Sequence, residues 1–214
     1  TIDYVYEIRV IGGEPLMYKR IYEVIEHLYK YDNYGKLQIN TNGTICPKPD
    51  KMEVFKNDKV FFDISDYGEK SRNLDKLKSE LRRLNIKHNS QKSPKWQDCG
   101  RIVETDRTKE ENKEVFGNCC ENQGLTILHG KLYLCPFAAN ATNLHAIPYF
   151  TKEIIELEKH DGKELKNLIH NLYFKTEYLE ACKSCNGRDH NVGTIDAAVQ
   201  LKQPVKYDII NTKI

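Results

Sequence analysis

Strand and helix signals alternate through the first 90 residues with a period of roughly 22 to 30 residues, which commits this half of the chain to a parallel sheet with crossover helices. Tyr4 to Ile11 is a β-rich run (Val5, Ile8, Val10, Ile11) that stops at Gly12-Gly13. Ile21, Val24, Ile25 and Leu28 then follow helical spacing, and Gly35 is the expected stop of that helix. Leu37 to Thr41 predicts a short strand ending at Asn42-Gly43, and Asp50 to Phe55 a weak helix. Val60-Phe61-Phe62-Asp63-Ile64 predicts a strand buried on both faces, ending at Ser65-Asp66-Tyr67-Gly68. Ser71 is the expected N-cap of a helix striped by Leu74, Leu77, Leu81 and Leu84, and Ile86 to Ser90 the fourth strand. The expected fold class is therefore α/β, a parallel sheet or partial (β/α) barrel with helices outside. Its polar turns fall at the carboxyl ends of the strands, where such folds carry their chemistry.

The pattern stops at residue 91. Ser93-Pro94, Gln97-Asp98 and the charged run Glu104 to Glu114 predict a solvated linker. A second unit begins near Cys119. Leu125 to Leu128 and Leu132 to Leu134 flank His129-Gly130-Lys131, a β-hairpin signal, and Leu165, Leu168, Ile169 and Leu172 mark a later helix. The expected organisation is residues 1–95, a linker over 96–118, and a small α+β domain over 119–214. The chain begins at Thr1 rather than Met, and we read it as part of a longer protein.

With 30% charged residues, a net charge of +2 and no long apolar run, the sequence argues against a membrane span and against nonspecific nucleic-acid binding. It opens on no secretory signal, so a cytoplasmic location is expected. In that setting the seven cysteines, at 46, 99, 119, 120, 135, 182 and 185, point to metal ligation rather than disulfides. A hairpin can bring one thiolate from its start (Cys119 or Cys120) beside one at its end (Cys135). Cys182 and Cys185, spaced Cys-x2-Cys, offer two more. Four thiolates suit a [4Fe–4S] cluster or a structural zinc ion, and sequence alone leaves both open. Cys46 reads as a small half-buried core residue. For Cys99 three readings stand: an inert thiol, a cluster ligand, or a catalytic or proton-donating group.

Gly12-Gly13-Glu14-Pro15 carries chemistry of its own. Two glycines at a strand end let a ligand approach the backbone, a neighbouring carboxylate can accept from an ammonium group, and Pro15 can open a helix. Followed by an amphipathic helix, a strand and Thr41-Asn42-Gly43-Thr44, this stretch resembles the radical S-adenosylmethionine (SAM) superfamily. The spacing Cys-x9-Gly-x4-Cys (from Cys120) or Cys-x10-Gly-x4-Cys (from Cys119), followed by Cys182-x2-Cys185, resembles the C-terminal SPASM and Twitch domains of that superfamily. No cysteine follows Cys185, so the one-cluster Twitch arrangement is the better match.

The resemblance implies a radical-SAM-type barrel in which Gly12, Gly13 and Glu14 bind the amino group of SAM, while Asn40, Ser65 and Arg72 contact the rest of it. It implies one auxiliary [4Fe–4S] cluster on Cys135, Cys182, Cys185 and either Cys119 or Cys120. It also implies reductive cleavage of SAM to a 5′-deoxyadenosyl radical, a sugar-type small molecule or a peptide as substrate, and flavodoxin or ferredoxin as electron donor. The superfamily's Cys-x3-Cys-x2-Cys signature is absent and is expected upstream of Thr1. The competing expectation is a non-enzymatic zinc- or iron–sulfur-binding module with a degenerate barrel.

Overall fold

The structure, a computed structural model, describes residues 3–189 and 191–199. The chain divides into two units: residues 3–96 with 196–199, and the described residues of 97–195. The rest of the expected second domain, residues 200–214, lies outside the described residues. Among those described, no helix is long and apolar enough to cross a membrane.

The first unit is an α/β layer. Four strands, β1 (Val5–Val10), β2 (Tyr34–Thr41), β3 (Val60–Asp66) and β4 (Lys87–Lys92), pair in parallel in the order 1-2-3-4. Each crossover moves one strand along in the same direction. Right-handed connections of that kind place their helices on one face of the sheet. The helices are α1 (Ile21–Leu28), the single turn α2 (Pro49–Met52) and α3 (Leu74–Arg83). Their apolar stripes and alternate residues of the strands form one core: Ile21 and Ile25 from α1, Leu77 and Leu81 from α3, Leu37 and Ile39 from β2, and Phe62 and Ile64 from β3. Phe55 packs edge-on to Phe62 with ring centroids 5.1 Å apart. Burying Leu77 and Leu81 completely stabilises the layer by about 1.5–3 kcal/mol each.

Three sequence expectations are corrected here. Strand β3 is not buried on both faces. Val60, Phe62 and Ile64 enter the core, while Phe61, Asp63 and Ser65 are only half-buried on the opposite face. Gly35 does not stop a helix: α1 ends at Leu28, and Gly35 lies inside β2. A Cβ there would meet the Tyr4 hydroxyl at 2.6 Å and the Tyr6 carbonyl at 2.9 Å, so close approach of β1 is what requires glycine. Ser71 is not the N-cap of α3, which is Asn73. The Ser71 hydroxyl instead donates to the Asn42 carbonyl (2.6 Å) and accepts from the Tyr67 amide (2.9 Å), tying the turns after β2 and β3 together.

The face of the sheet away from the core is a polar carpet. Lys36 bonds the Glu7 carboxylate at 2.9 Å and lies over the Phe61 ring at 4.4 Å. The Gln38 amide donates to Asn40 (3.1 Å) and Asp63 (3.5 Å), and Asn89 donates to Asp63 (3.5 Å). A parallel sheet normally buries both faces. Here the helices cover one side only, and the other side carries hydrogen-bonding groups.

The second unit holds α4 (Lys109–Asn118), the hairpin β5 (Thr126–Leu128) and β6 (Lys131–Tyr133), α5 (Pro136–Asn143), β7 (Ile154–Glu156) and α6 (Gly162–Lys175). The hairpin turns at His129-Gly130, both with positive φ (50° and 72°), and β7 adds antiparallel to β6. Leu132, Leu134, Ala141, Ile155, Leu172 and Leu179 form the centre of a separate core. The charged run read as a linker is instead helical. Thr108 and Glu111 form a capping box, with reciprocal side-chain to backbone bonds at 3.3 and 2.7 Å, which starts α4.

Candidate metal centre

Four of the five clustered cysteines face one cavity. It is small, about 20 Å³, and is lined by Cys119, Cys135, Cys182 and Cys185, with an apolar wall that includes Phe116 and Leu179. Cys119 ends α4, Cys135 follows the hairpin and caps α5, and Cys182 and Cys185 sit on the short helical turn Glu180–Ser184 and its end. Cys120 is exposed and does not line the cavity. Cys99 does not line it either, although its carbonyl accepts from the Asn186 amide (2.9 Å) just beyond Cys185.

Backbone amides point at two of the sulfurs. Arg188 N–H donates to Cys119 Sγ at 3.2 Å and Gly187 N–H to Cys185 Sγ at 3.3 Å. Burial pushes the Cys135 thiol up to about 11, with the amides of Phe137 and Ala138 at the start of α5 pulling the other way. Burial pushes Cys182 and Cys185 up to about 12. These thiols are therefore protonated at neutral pH until a cation displaces the protons, so loading such a site releases acid.

Most of the framework comes from residues that sequence reading placed in a linker. Arg107 spreads its guanidinium across the cysteine turn, donating to the carbonyls of Cys182 and Cys185, both at 2.6 Å. Its Nε and Nη1 donate to Asn112 and Asn186, both at 3.3 Å. Asn112, fully buried, donates to the carbonyls of Arg107 and Thr108 at 3.2 and 2.9 Å. Thr105 donates to the Lys183 carbonyl through its amide and its hydroxyl, both at 2.9 Å. The Thr108-x-x-Glu111 box was the one visible signal that this segment is ordered; nothing in the sequence singles out Arg107.

Gly187 has φ +76°, and a Cβ there would stand 3.0 Å from the Val115 carbonyl. Gly187→Ala is expected to lower stability by about 1–3 kcal/mol, because an L side chain pays twice, in conformation and in crowding. At Gly12 a Cβ meets nothing within 4 Å. Gly12→Ala should therefore leave the urea midpoint within experimental error, and equal midpoints for the two variants would refute the argument.

The cysteine turn also leans on Glu153, whose carboxylate accepts from the Glu180 amide at 2.7 Å. Burial raises its pKa to about 7. The folded protein therefore holds this proton more tightly than the unfolded chain. The stability linked to it is complete below about pH 4.5 and is lost as pH rises through 7. Discounted for partial exposure, the effect is about 1–3 kcal/mol. Glu153→Gln keeps an acceptor for the Glu180 amide and should flatten the fall in melting temperature between pH 5 and 8. An undiminished fall in that variant would assign the pH dependence elsewhere.

No family model matches the chain, and no curated protein is similar to it. Among the described residues, no three His, Cys, Asp or Glu side chains stand close enough to ligate a single metal ion. Four sulfurs on one tetrahedral zinc, at Zn–S of about 2.3 Å, would lie about 3.8 Å from one another. Among the described residues the four thiols therefore line a common space without standing as a formed metal site.

The expected SAM-contacting residues lie in the first unit, at the carboxyl ends of the parallel strands. Gly12 and Gly13 are exposed, with open space in front of Gly12. Asn40 and Ser65 are half-buried on the polar face, and Arg72 is exposed without an ion-pair partner among the described residues. Glu14 sits beside Gly13, inside the protein. It is 5% exposed, and its carboxylate accepts from the amides of Leu16 (3.0 Å) and Asn42 (2.8 Å) and from the Thr41 hydroxyl (2.8 and 2.9 Å). It locks the turn after β1 to the end of β2. Burial outweighs these bonds and raises its pKa. Glu14→Gln turns an NH2 group toward one of the two amides it now accepts from, and should cost about 1–3 kcal/mol with no ligand present. An unchanged denaturation midpoint would mean the lock carries no load.

Proposed function

We propose that this chain belongs to a radical SAM enzyme, with an auxiliary [4Fe–4S] cluster held in the second unit by Cys119, Cys135, Cys182 and Cys185. The observation that carries the reading is the convergence of these four thiols, from three separate segments, on one cavity. Two amides already aimed at sulfur add to it, since hydrogen bonds to ligand sulfur are a means of tuning cluster potential. In the first unit the support is the parallel sheet with one polar face and an open, glycine-bearing turn after β1.

In this reading SAM and its cluster supply one-electron chemistry, and the protein orients the reactants and excludes water. The carbonyls around Gly12 and Gly13 receive the ammonium group, Asn40 and Ser65 bond the polar body of the cofactor, and Arg72 is placed to meet its carboxylate. Glu14 acts through the turn it locks. The reading requires three more thiolates in the spacing Cys-x3-Cys-x2-Cys, which these 214 residues do not contain. The substrate remains in two classes, a sugar-type small molecule or a peptide, with flavodoxin or ferredoxin as the donor.

The test is anaerobic reconstitution of the chain with iron and sulfide. A brown protein with broad absorbance near 400 nm and roughly four irons per chain supports the reading. A colourless protein holding one zinc ion would replace it with a zinc-binding module.

A further inference from the structure

A second cavity, of about 390 Å³ and larger than the cysteine-lined one, opens between β7 and α6. Its floor is apolar, with Ile155 and Leu172 both 7% exposed. Its rim carries Lys152, His160, Lys175 and Asn171. No carboxylate lines it.

Several acids of the same segments are engaged away from it: Glu153 holds the Glu180 amide, Glu156 pairs with Lys159 at 2.5 Å and Glu177 pairs with Lys113 at 2.9 Å, while Glu164 bonds the rim residue His160 at 3.0 Å. Lys152 and Lys175 have no ion-pair partner among the described residues. Two unpaired ammonium groups over a buried aliphatic floor, with an amide beside them, match one kind of ligand: an anion joined to an apolar body. The size lies within the range of small-molecule sites.

We propose that this cavity binds a small organic anion, a carboxylate or phosphate ester, with Lys152 and Lys175 holding the anionic end and Ile155 and Leu172 receiving the apolar end. The inference does not rest on the cluster reading, because none of these residues is a proposed ligand. Carboxylate and phosphate share the same recognition, so the probes are phenylacetate, phenyl phosphate and inorganic phosphate.

Each is titrated into the full chain at low salt, following amide shifts of residues 151–176 by NMR. At least one aryl probe is expected to saturate with Kd below about 1 mM, and inorganic phosphate to bind at least about tenfold more weakly. The stronger aryl probe identifies the preferred anion. The double substitution Lys152→Gln with Lys175→Gln should weaken that probe by at least about tenfold while the melting temperature holds, since both lysines are on the surface. Lys152→Glu alone should weaken it as well. The proposal is overturned if neither aryl probe saturates, if inorganic phosphate binds as tightly as they do, or if the substitutions leave Kd unchanged.

Discussion

Cys119→Ala is expected to lose the iron that Cys120→Ala keeps. Two adjacent cysteines satisfy the same sequence spacing, but only Cys119 faces the cavity shared with Cys135, Cys182 and Cys185, while Cys120 is exposed. After anaerobic reconstitution the wild-type chain and Cys120→Ala should both hold roughly four irons, and Cys119→Ala and Cys182→Ala fewer than about one. The stability change should follow the same division. Ligation and folding share one free energy, so a reconstituted wild-type chain should melt well above its iron-free form, by an increment worth several kcal/mol. Cys119→Ala and Cys182→Ala should lose that increment while their iron-free forms melt close to the iron-free wild type. Cys99→Ala serves as a further control: its contact with the cysteine turn runs through its backbone carbonyl, which the substitution leaves in place. Full iron in Cys119→Ala together with none in Cys120→Ala would move the site to the other thiol and contradict the geometry.

The parts of this fold legible in the sequence are those written in periodicity. The α3 stripe (Leu74, Leu77, Leu81), the existence of β3 and the His129-Gly130 hairpin each follow from spacing or from a residue suited to positive φ. Gly35 reads as a helix stop because a glycine that ends a helix and one that admits a neighbouring strand look identical in one dimension. Glu14 stands out in the sequence, and the bonds it makes within the protein are a separate matter that the sequence does not show. Its four hydrogen bonds run to residues 27 and 28 positions away and within its own turn, and no local pattern encodes such pairings. The four sulfurs could be grouped by spacing, whereas choosing between Cys119 and Cys120 depends on where α4 ends. That helix was itself hidden in a charged run whose amphipathic signal is weak, because its one fully buried side chain is the polar Asn112.

Arg107 is the clearest case of a residue that carries geometry without a sequence signal, and its removal is expected to be the most damaging substitution outside the cysteines. Its Nη2 serves the carbonyls of Cys182 and Cys185, fixing both ends of the turn that presents the two thiols. In Arg107→Ala those carbonyls lose a charged donor, and the buried Asn112 loses the guanidinium on its side-chain oxygen. At about 1.5–3 kcal/mol per hydrogen bond to a charged group, the iron-free protein should lose about 3–5 kcal/mol. Lys cannot repeat the planar fork, so Arg107→Lys should recover only part of that loss. A general loss of stability would be shared by any buried residue, so the decisive readout is local. In the iron-free protein under native conditions, Cys182 and Cys185 should be alkylated faster in Arg107→Ala than in wild type, by at least about tenfold relative to Cys46, which packs against the separate core of the first unit. Alkylation of all these thiols in step would mean that the whole chain opens and that the clasp has no special hold on the turn. A midpoint within about 0.5 kcal/mol of wild type, with unchanged thiol protection, would mean that the carbonyls find water or other donors and the clasp is dispensable.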